Sequence, residues 1–407
     1  MQYPHVSLRA LAGFFAVAAY FFIPWTLAGA NIALLCLLVS WLLAGGWRAR
    51  WETVRANAVT CPLLLLYAVI LLGGLHTTAA WEDVADHWLK YDKLLLMVIA
   101  VSVLADGKTR ERCWTAFAVT VLFTVASSYL SVWWVLPWSR TQWLGWGIDH
   151  SVFKDYITQG VLVSLLMLRS LYLGLRVPGA SWQRWAWMAV AALAFVCNTQ
   201  LSHGRTGYVA TAVAVVTFVL ALVPVRRWWI ALVLLAFALA ATAFVSPTIW
   251  PRVALGLKEL GEVPETTTSI GPRLYFLQHG LELFLQKPWL GWGTGAYHDE
   301  FCRIATTPAW CAAGSFHPHN QFLFFMIEHG VVGLAAFTAV FAGALWQAMR
   351  MARLDRAVAL AFVGVAAVGN LTHSGIWLAN EGLAYGFGLV LVLTAQRSAP
   401  EQAGRVE

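Results

Sequence analysis

WWIALVLLAFALAATAFVS, residues 228–246, runs for nineteen residues without a charged side chain. As an α-helix at 1.5 Å per residue it measures about 28 Å, close to the roughly 30 Å hydrocarbon core of a bilayer. A helix is also the form that satisfies every backbone N–H and C=O within one segment in lipid. Similar apolar segments recur near 8–24, 26–46, 60–76, 90–105, 113–136, 156–176, 185–201, 206–224, 320–348, 357–374 and 381–396, with Pro24 and Trp25 dividing the first two. With 60% hydrophobic residues, 12% charged residues and 23 Trp in 407 residues, a water-soluble fold could not hide its apolar surface. The expectation is one all-α polytopic membrane domain over 1–407 with about twelve transmembrane helices. The first apolar segment runs almost directly into the second with no small-residue cleavage site, so no cleavable signal peptide is expected.

Basic residues set the orientation, because short cytoplasmic loops collect Lys and Arg. With the N terminus inside and twelve crossings, the inner loops hold Arg9, Arg48, Arg50, Arg55, Lys108, Arg110, Arg112, Arg169, Arg176, Arg184, Arg226, Arg227, Arg350, Arg353, Arg356, Arg397 and Arg405. These are 17 of the 27 basic residues, against six of the 20 acidic ones, so the inner side carries +11 and the outer side −4. Both termini are therefore expected in the cytoplasm. The net charge of +7 follows from membrane topology and calls for no nucleic-acid partner.

Three outer loops exceed a tight turn: about 77–89, about 137–155 and 247–319. The last opens with Pro247, Pro251, Pro264 and Thr266 to Thr268. It then reads as a helix from Pro272 to Lys287, framed by Pro272 and Pro288, with Leu274, Leu277, Leu281 and Phe284 on one face. The turn Gly291-Trp292-Gly293-Thr294-Gly295 lacks the strand and helix of a dinucleotide fold. Cys302 and Cys311 share this loop and form a disulfide if it lies in an oxidising compartment. Cys36, Cys61, Cys113 and Cys197 lie in or beside spans, as small packing residues. A zinc site from His298, His317 and His319 matches no common ligand spacing, and neither a metal nor another cofactor is expected.

Ionisable groups at span ends are functional candidates, since lipid penalises them unless they are paired or solvated. Arg205, in Leu201-Ser202-His203-Gly204-Arg205, occupies a very short turn between two spans. It is either an interfacial anchor or a planar fork for phosphate oxygens. Arg273 begins the loop helix, where the macrodipole disfavours a cation unless an anion binds beside it; a solvated loop Arg is the alternative. In Phe316-His317-Pro318-His319-Asn320, Pro318 suits the first helical position and puts His319 in the opening turn. The positive helix end would keep His319 neutral and able to act as a general base, or it is a hydrogen-bonding cap. Lys90, Lys93, Lys154, His317 and Asn320 are substrate-binding candidates on the same side, with interface anchoring as the rival role for the lysines. Glu328 is expected to bond a neighbouring helix.

In this order, Leu201-Ser202-His203-Gly204-Arg205, then Arg273 with Pro288-Trp289-Leu290-Gly291-Trp292-Gly293, then His319-Asn320-Gln321-Phe322-Leu323 running to Glu328-His329-Gly330-Val331-Val332-Gly333, resemble the O-antigen ligase and polymerase superfamily. The resemblance covers about residues 190–345. His203-Gly204 departs from the Ser that often precedes this Arg in the family. The resemblance implies transfer of a glycan from an undecaprenyl diphosphate carrier, at the periplasmic face of a bacterial inner membrane, to lipid A–core. It also implies metal-independent, inverting chemistry, with Arg205 and Arg273 on the diphosphate and His319 activating the acceptor. An O-antigen polymerase and a protein O-oligosaccharyltransferase share this donor. A lipid-linked-oligosaccharide flippase is the non-enzyme alternative, and it should carry its cations deeper in a central cavity.

Overall fold

The computed structural model describes residues 7–259, 266, 270–314 and 316–395. Pro264, Thr267, Thr268, Arg397 and Arg405 lie outside the described residues. The described residues form helices and connecting turns, without a strand. In chain order the helices are α1 (Leu8–Phe22), α2 (Leu27–Leu43), α3 (Trp47–Arg55), α4 (Thr60–Gly73), α5 (Trp81–Tyr91), α6 (Lys93–Leu104), α7 (Gly107–Leu130), α8 (Tyr156–Arg176) and α9 (Trp182–Gln200). They continue with α10 (Arg205–Leu222), α11 (Trp228–Val245), α12 (Ile249–Glu259), α13 (Gly271–Gln286), α14 (Tyr297–Ile304), α15 (Pro308–Gly314), α16 (Gln321–Met349), α17 (Arg353–Thr372) and α18 (Ala379–Leu393).

Each of the twelve apolar segments contains a helix. Among the described residues, six helical stretches are long and apolar enough to cross a membrane: Gly107–Leu130, Tyr156–Arg176, Arg205–Leu222, Val225–Val245, Gln321–Met349 and Arg353–Thr372. Several others are shorter, and α6, with 12 residues, rises only about 18 Å. The chain is a multi-pass membrane protein. α11, the helix of the opening stretch, has no buried residue, and Phe237 and Phe244 are more than three-quarters exposed. Only an apolar solvent tolerates such a surface.

At the centre of the bundle α8 and α18 are buried on nearly every face. α10 packs along α17 and α8, and α4 packs along α16. Two features differ from the sequence reading. The 77–89 loop contains a helix, α5, whose first turn carries Glu82 and Asp83 and whose last carries Lys90, in accord with the macrodipole. α16 is broken at Gly330, with φ 62° and ψ −153°.

The break is filled by the Gly-rich turn of the long loop. Trp292 N–H donates to Ile327 O (3.0 Å), Gly293 N–H to Glu328 O (2.8 Å) and Val331 N–H to Pro288 O (2.8 Å). A Cβ on Gly330 would stand 2.3 Å from Trp289 O, and one on Gly291 2.4 Å from the Glu328 carbonyl carbon, so these glycines permit backbone-to-backbone contact. Glu328 Oε1 accepts the Gly295 N–H at 2.9 Å, a bond from α16 to the turn. α13 spans nearly the residues expected for the loop helix, and the Cys302 and Cys311 sulfurs are bonded between α14 and α15.

Candidate active site

The α9–α10 turn is locked from below by Asn198, whose Nδ2 lies 3.0 Å from Gly160 O, 3.1 Å from Ser164 Oγ and 3.0 Å from Thr211 Oγ1. There α8 and α10 touch through glycine, since a Cβ on Gly160 would lie 2.9 Å from Gly207 Cα. Above the turn, His150 N–H donates to Leu201 O (3.0 Å) and the Tyr208 hydroxyl to Ser202 O (2.5 Å). This frame presents Arg205 as the first residue of α10. Its Nη1 lies 3.7 Å from Glu259 Oε2 of α12, while Nε and Nη2 are buried without a hydrogen-bond partner among the described residues. Leaving buried donors unfilled costs about 1–3 kcal/mol each, so the site invites an acceptor-rich ligand.

Arg273 sits in the first turn of α13, after Pro272. Burial, and then the positive charge of Arg205, hold its guanidinium below the usual arginine range. Two cations that raise each other's energy in this way are stabilised by a nearby anion.

α16 starts at Gln321, not at Pro318, because the Asn320 side chain caps it by accepting the Leu323 N–H (3.1 Å). His319 therefore precedes the helix instead of occupying its opening turn. It has φ 52°, the one positive φ outside glycine among the described residues. Such a conformation costs of order 1–3 kcal/mol and persists only when neighbours impose it. Here His317 Nδ1 accepts the His319 N–H at 3.2 Å, and the Phe276 ring stacks on the imidazole. Asn320 thus serves as the cap and His317 as a clamp on the His319 backbone.

His319 Nδ1 lies 3.1 Å from His373 Nδ1, and His373 Nε2 lies 3.9 Å from Glu381 Oε1. Burial first, then His373 and Arg273, lower the His319 pKa to about 3. Burial, then Arg273, lowers that of His373 to about 4. His319 is thus neutral at pH 7, as expected from the sequence. The helix end was the wrong reason, since burial and a cationic neighbourhood do it. Arg205, Arg273 and His319 occupy one electrostatic neighbourhood, for Arg205 acts on Arg273 and Arg273 acts on His319.

His373 and Glu381 escaped the sequence reading. They border the turn between α17 and α18, and the criterion that selected Arg205, an ionisable group at a span end, applies to both. That turn is tied to α16 by Gln321, whose Oε1 accepts the Trp377 N–H (2.9 Å) and whose Nε2 donates to the Tyr91 hydroxyl (3.0 Å).

The lysines divide. Lys154 Nζ donates to Asn380 Oδ1 (2.7 Å), beside Glu381, with its pKa lowered by burial to about 8. Buried Lys93 donates to Leu378 O (2.9 Å). Lys90 pairs with Asp86 (2.7 Å) and lies 3.8 Å from the centre of the Trp377 ring, an anchored position. The ring nitrogens of His317, His319 and His373 lie within 4.8 Å of one another, a donor set able to hold a metal ion. The sequence trio is corrected here: His298 is exposed beside Asp299 and His373 takes its place.

Fold and site define a polytopic membrane protein with two arginines and a neutral histidine in one electrostatic neighbourhood. Residues 188–338 match the family described as O-antigen ligase. The match takes in Arg205, Arg273, His317, His319 and Asn320, and leaves Lys90, Lys93, Lys154, His373 and Glu381 outside it. No curated protein matched the chain. This match suggests glycosyltransferase-like activity of the O-antigen ligase and polymerase type.

Proposed function

We propose that this protein transfers O-antigen glycan from undecaprenyl diphosphate to lipid A–core at the periplasmic face of the inner membrane, crossing it twelve times with both termini inside. The observation that carries the reading is the conjunction of unfilled donors on Arg205, the adjacent Arg273, and the neutral His319. A cavity of about 450 Å³ between α10, α11 and α12 supports a lipid donor. It is lined by Val209, Ala212, Leu239 and Val253 and ends at Arg205. One wall is α11, the helix without a buried residue. A polyprenyl tail entering from the bilayer beside α11 would leave its diphosphate at the arginines.

The chemistry then follows. The acceptor hydroxyl attacks the anomeric carbon from the face opposite the diphosphate, and its proton passes to His319 Nε2. The bond from the anomeric carbon to the diphosphate oxygen breaks, its electron pair leaves with the diphosphate, and the configuration inverts. Arg205 and Arg273 stabilise the charge that grows on the leaving group. The glycan–diphosphate bond is already activated, so no nucleotide is consumed.

Purified protein incubated with carrier-linked glycan and lipid A–core should yield ligated lipopolysaccharide. Glycan elongation without core, and no ligated product, would replace this reading with the polymerase. Movement of the carrier across a bilayer without transfer would replace it with the flippase.

A further inference from the structure

At the other end of the bundle lies a cavity of about 600 Å³ that glycosyl transfer does not use. α6 fixes the separation: its first residue, Lys93, bonds Leu378 beside the histidines, and Ser102 and Val103 near its last turn line this cavity. Arg9 of α1, Arg50 of α3, and Lys108 and Arg112 of α7 converge on it. Arg9 and Arg50 stand within Coulombic reach of each other, and the Arg9 guanidinium comes within 2.8 Å of where a Gly46 Cβ would be. The carboxylate lining the cavity, Asp106, is engaged in capping α7, accepting from Thr109 N (2.9 Å) and Thr109 Oγ1 (2.7 Å). The next one along α7, Glu111, pairs with Arg169 outside the cavity. α3 starts at this cavity with no side-chain cap and no acidic residue in its first turn, so its positive end adds to the field.

The other side of the cavity is apolar. Gly13, Phe14 and Val17 of α1 line it, and Phe14 is 63% exposed along a membrane-embedded helix. A free phosphate has no use for that wall, whereas an acyl chain does. We propose that this cavity binds an anionic phospholipid, its phosphate held by Arg9, Arg50, Lys108 and Arg112 and one acyl chain lying along Phe14 and Val17. Basic loops alone attract anionic lipid diffusely. Here four cations line a volume large enough for a headgroup against a single carboxylate, Asp106, which leaves the lining net positive. The bound lipid would bridge α1, α3 and α7.

Native mass spectrometry of the full chain in detergent, with phosphatidylglycerol, phosphatidylcholine or inorganic phosphate added, tests this. Phosphatidylglycerol should stay bound through delipidation, and phosphatidylcholine should not. The double variant Arg9→Gln/Arg112→Gln should weaken retention by about thirtyfold, from the loss of two basic contacts. The variant Arg226→Gln/Arg227→Gln, in a basic turn outside the cavity, should retain it as wild type does. Equal loss in both variants would reduce the effect to diffuse charge and overturn the proposal. So would equal retention of phosphatidylcholine, or full displacement of the lipid by inorganic phosphate. Should Arg9→Gln/Arg112→Gln fail to fold, Phe14→Trp/Val17→Trp, which fills the acyl wall and leaves the cations, must still reduce phosphatidylglycerol retention. Unchanged retention there would equally overturn it.

Discussion

His319 and His373 meet Nδ1 to Nδ1 at 3.1 Å, so one ring donates and the other accepts. If His319 is to take a proton at Nε2, its Nδ1 must carry hydrogen and donate to His373. His373 must then hold its own hydrogen on Nε2, the nitrogen facing Glu381 Oε1 at 3.9 Å. One tautomer set satisfies all three groups, with Glu381 orienting His373 and His373 orienting His319. His373 is thus a positioning residue, acting through the base.

Replacement of His319 by Ala should cut transfer by about 10²- to 10⁴-fold, the span of general-base contributions. His373→Ala should cost about tenfold in kcat, one hydrogen bond's worth, with the donor KM unchanged. His373→Asn, whose side-chain oxygen can stand in for the accepting nitrogen, should recover part of that loss. A merely structural His373 would instead lower the amount of folded protein and show no such recovery. Initial rates on detergent-purified variants decide between them.

The histidine cluster also sets a pH dependence of stability. In the unfolded chain these imidazoles titrate near 6.5, whereas burial lowers His319 to about 3 and His373 to about 4. Between these limits the unfolded chain binds more protons, so stability rises with pH. Its contribution should be complete above about pH 6.5 and lost progressively as pH falls toward 3. Burial, then His319 and His373, lowers His317 further, to about 2. Melting temperatures across pH 4–8 should drop on the acid side, and His317→Asn should flatten the drop. An unchanged slope in that variant would count against the cluster as its source.

Arg205→Lys and Arg273→Lys keep the charge and lose the planar fork. If the pair grips a diphosphate through bidentate bonds, each variant should lose about 1.5–3 kcal/mol of transition-state stabilisation, or roughly ten- to a hundredfold in kcat/KM. Wild-type turnover in either would reduce that residue to an interfacial anchor.

The three clustered imidazoles give metal dependence a concrete form to test. With the arginines supplying the charge, turnover should be insensitive to chelator. Loss of activity on chelation, restored by Zn²⁺, would assign His317, His319 and His373 to a metal instead.

Apolar length and loop charge were readable in the sequence because each is local: a run such as 228–246 needs no knowledge of its neighbours to be placed in lipid. Arg205, Arg273 and His319 were readable for a related reason, since lipid makes a charge at a span end conspicuous wherever the chain folds. What the sequence withheld was pairing across long separations. His373 lies 54 residues beyond His319, and nothing in either segment announces that they touch. The start of α16 was missed because Pro318 and Asn320 both carry helix-initiating signals, and the Asn320 cap prevailed.

The seam between the Gly-rich turn and the broken α16 was equally hidden, and it yields the last expectation. The loop carrying Arg273 must be held against the helix that follows His319, and backbone bonds around Gly291 and Gly330, joined by the Glu328–Gly295 bond, make up the seam between the Gly-rich turn and α16. At φ 62° and ψ −153°, Gly330 occupies a region closed to side-chain-bearing residues, where strain alone costs of order 1–3 kcal/mol. The Cβ of Gly330→Ala would also meet Trp289 O at 2.3 Å. The variant should therefore fold poorly or melt several degrees lower. Glu328→Gln is the milder cut: it keeps an acceptor for Gly295 N–H and removes the charge. If Glu328 serves only to fasten the turn, that variant should retain most transfer activity while Gly330→Ala loses it. A collapse of kcat in a well-folded Glu328→Gln protein would instead give the carboxylate a part in the chemistry.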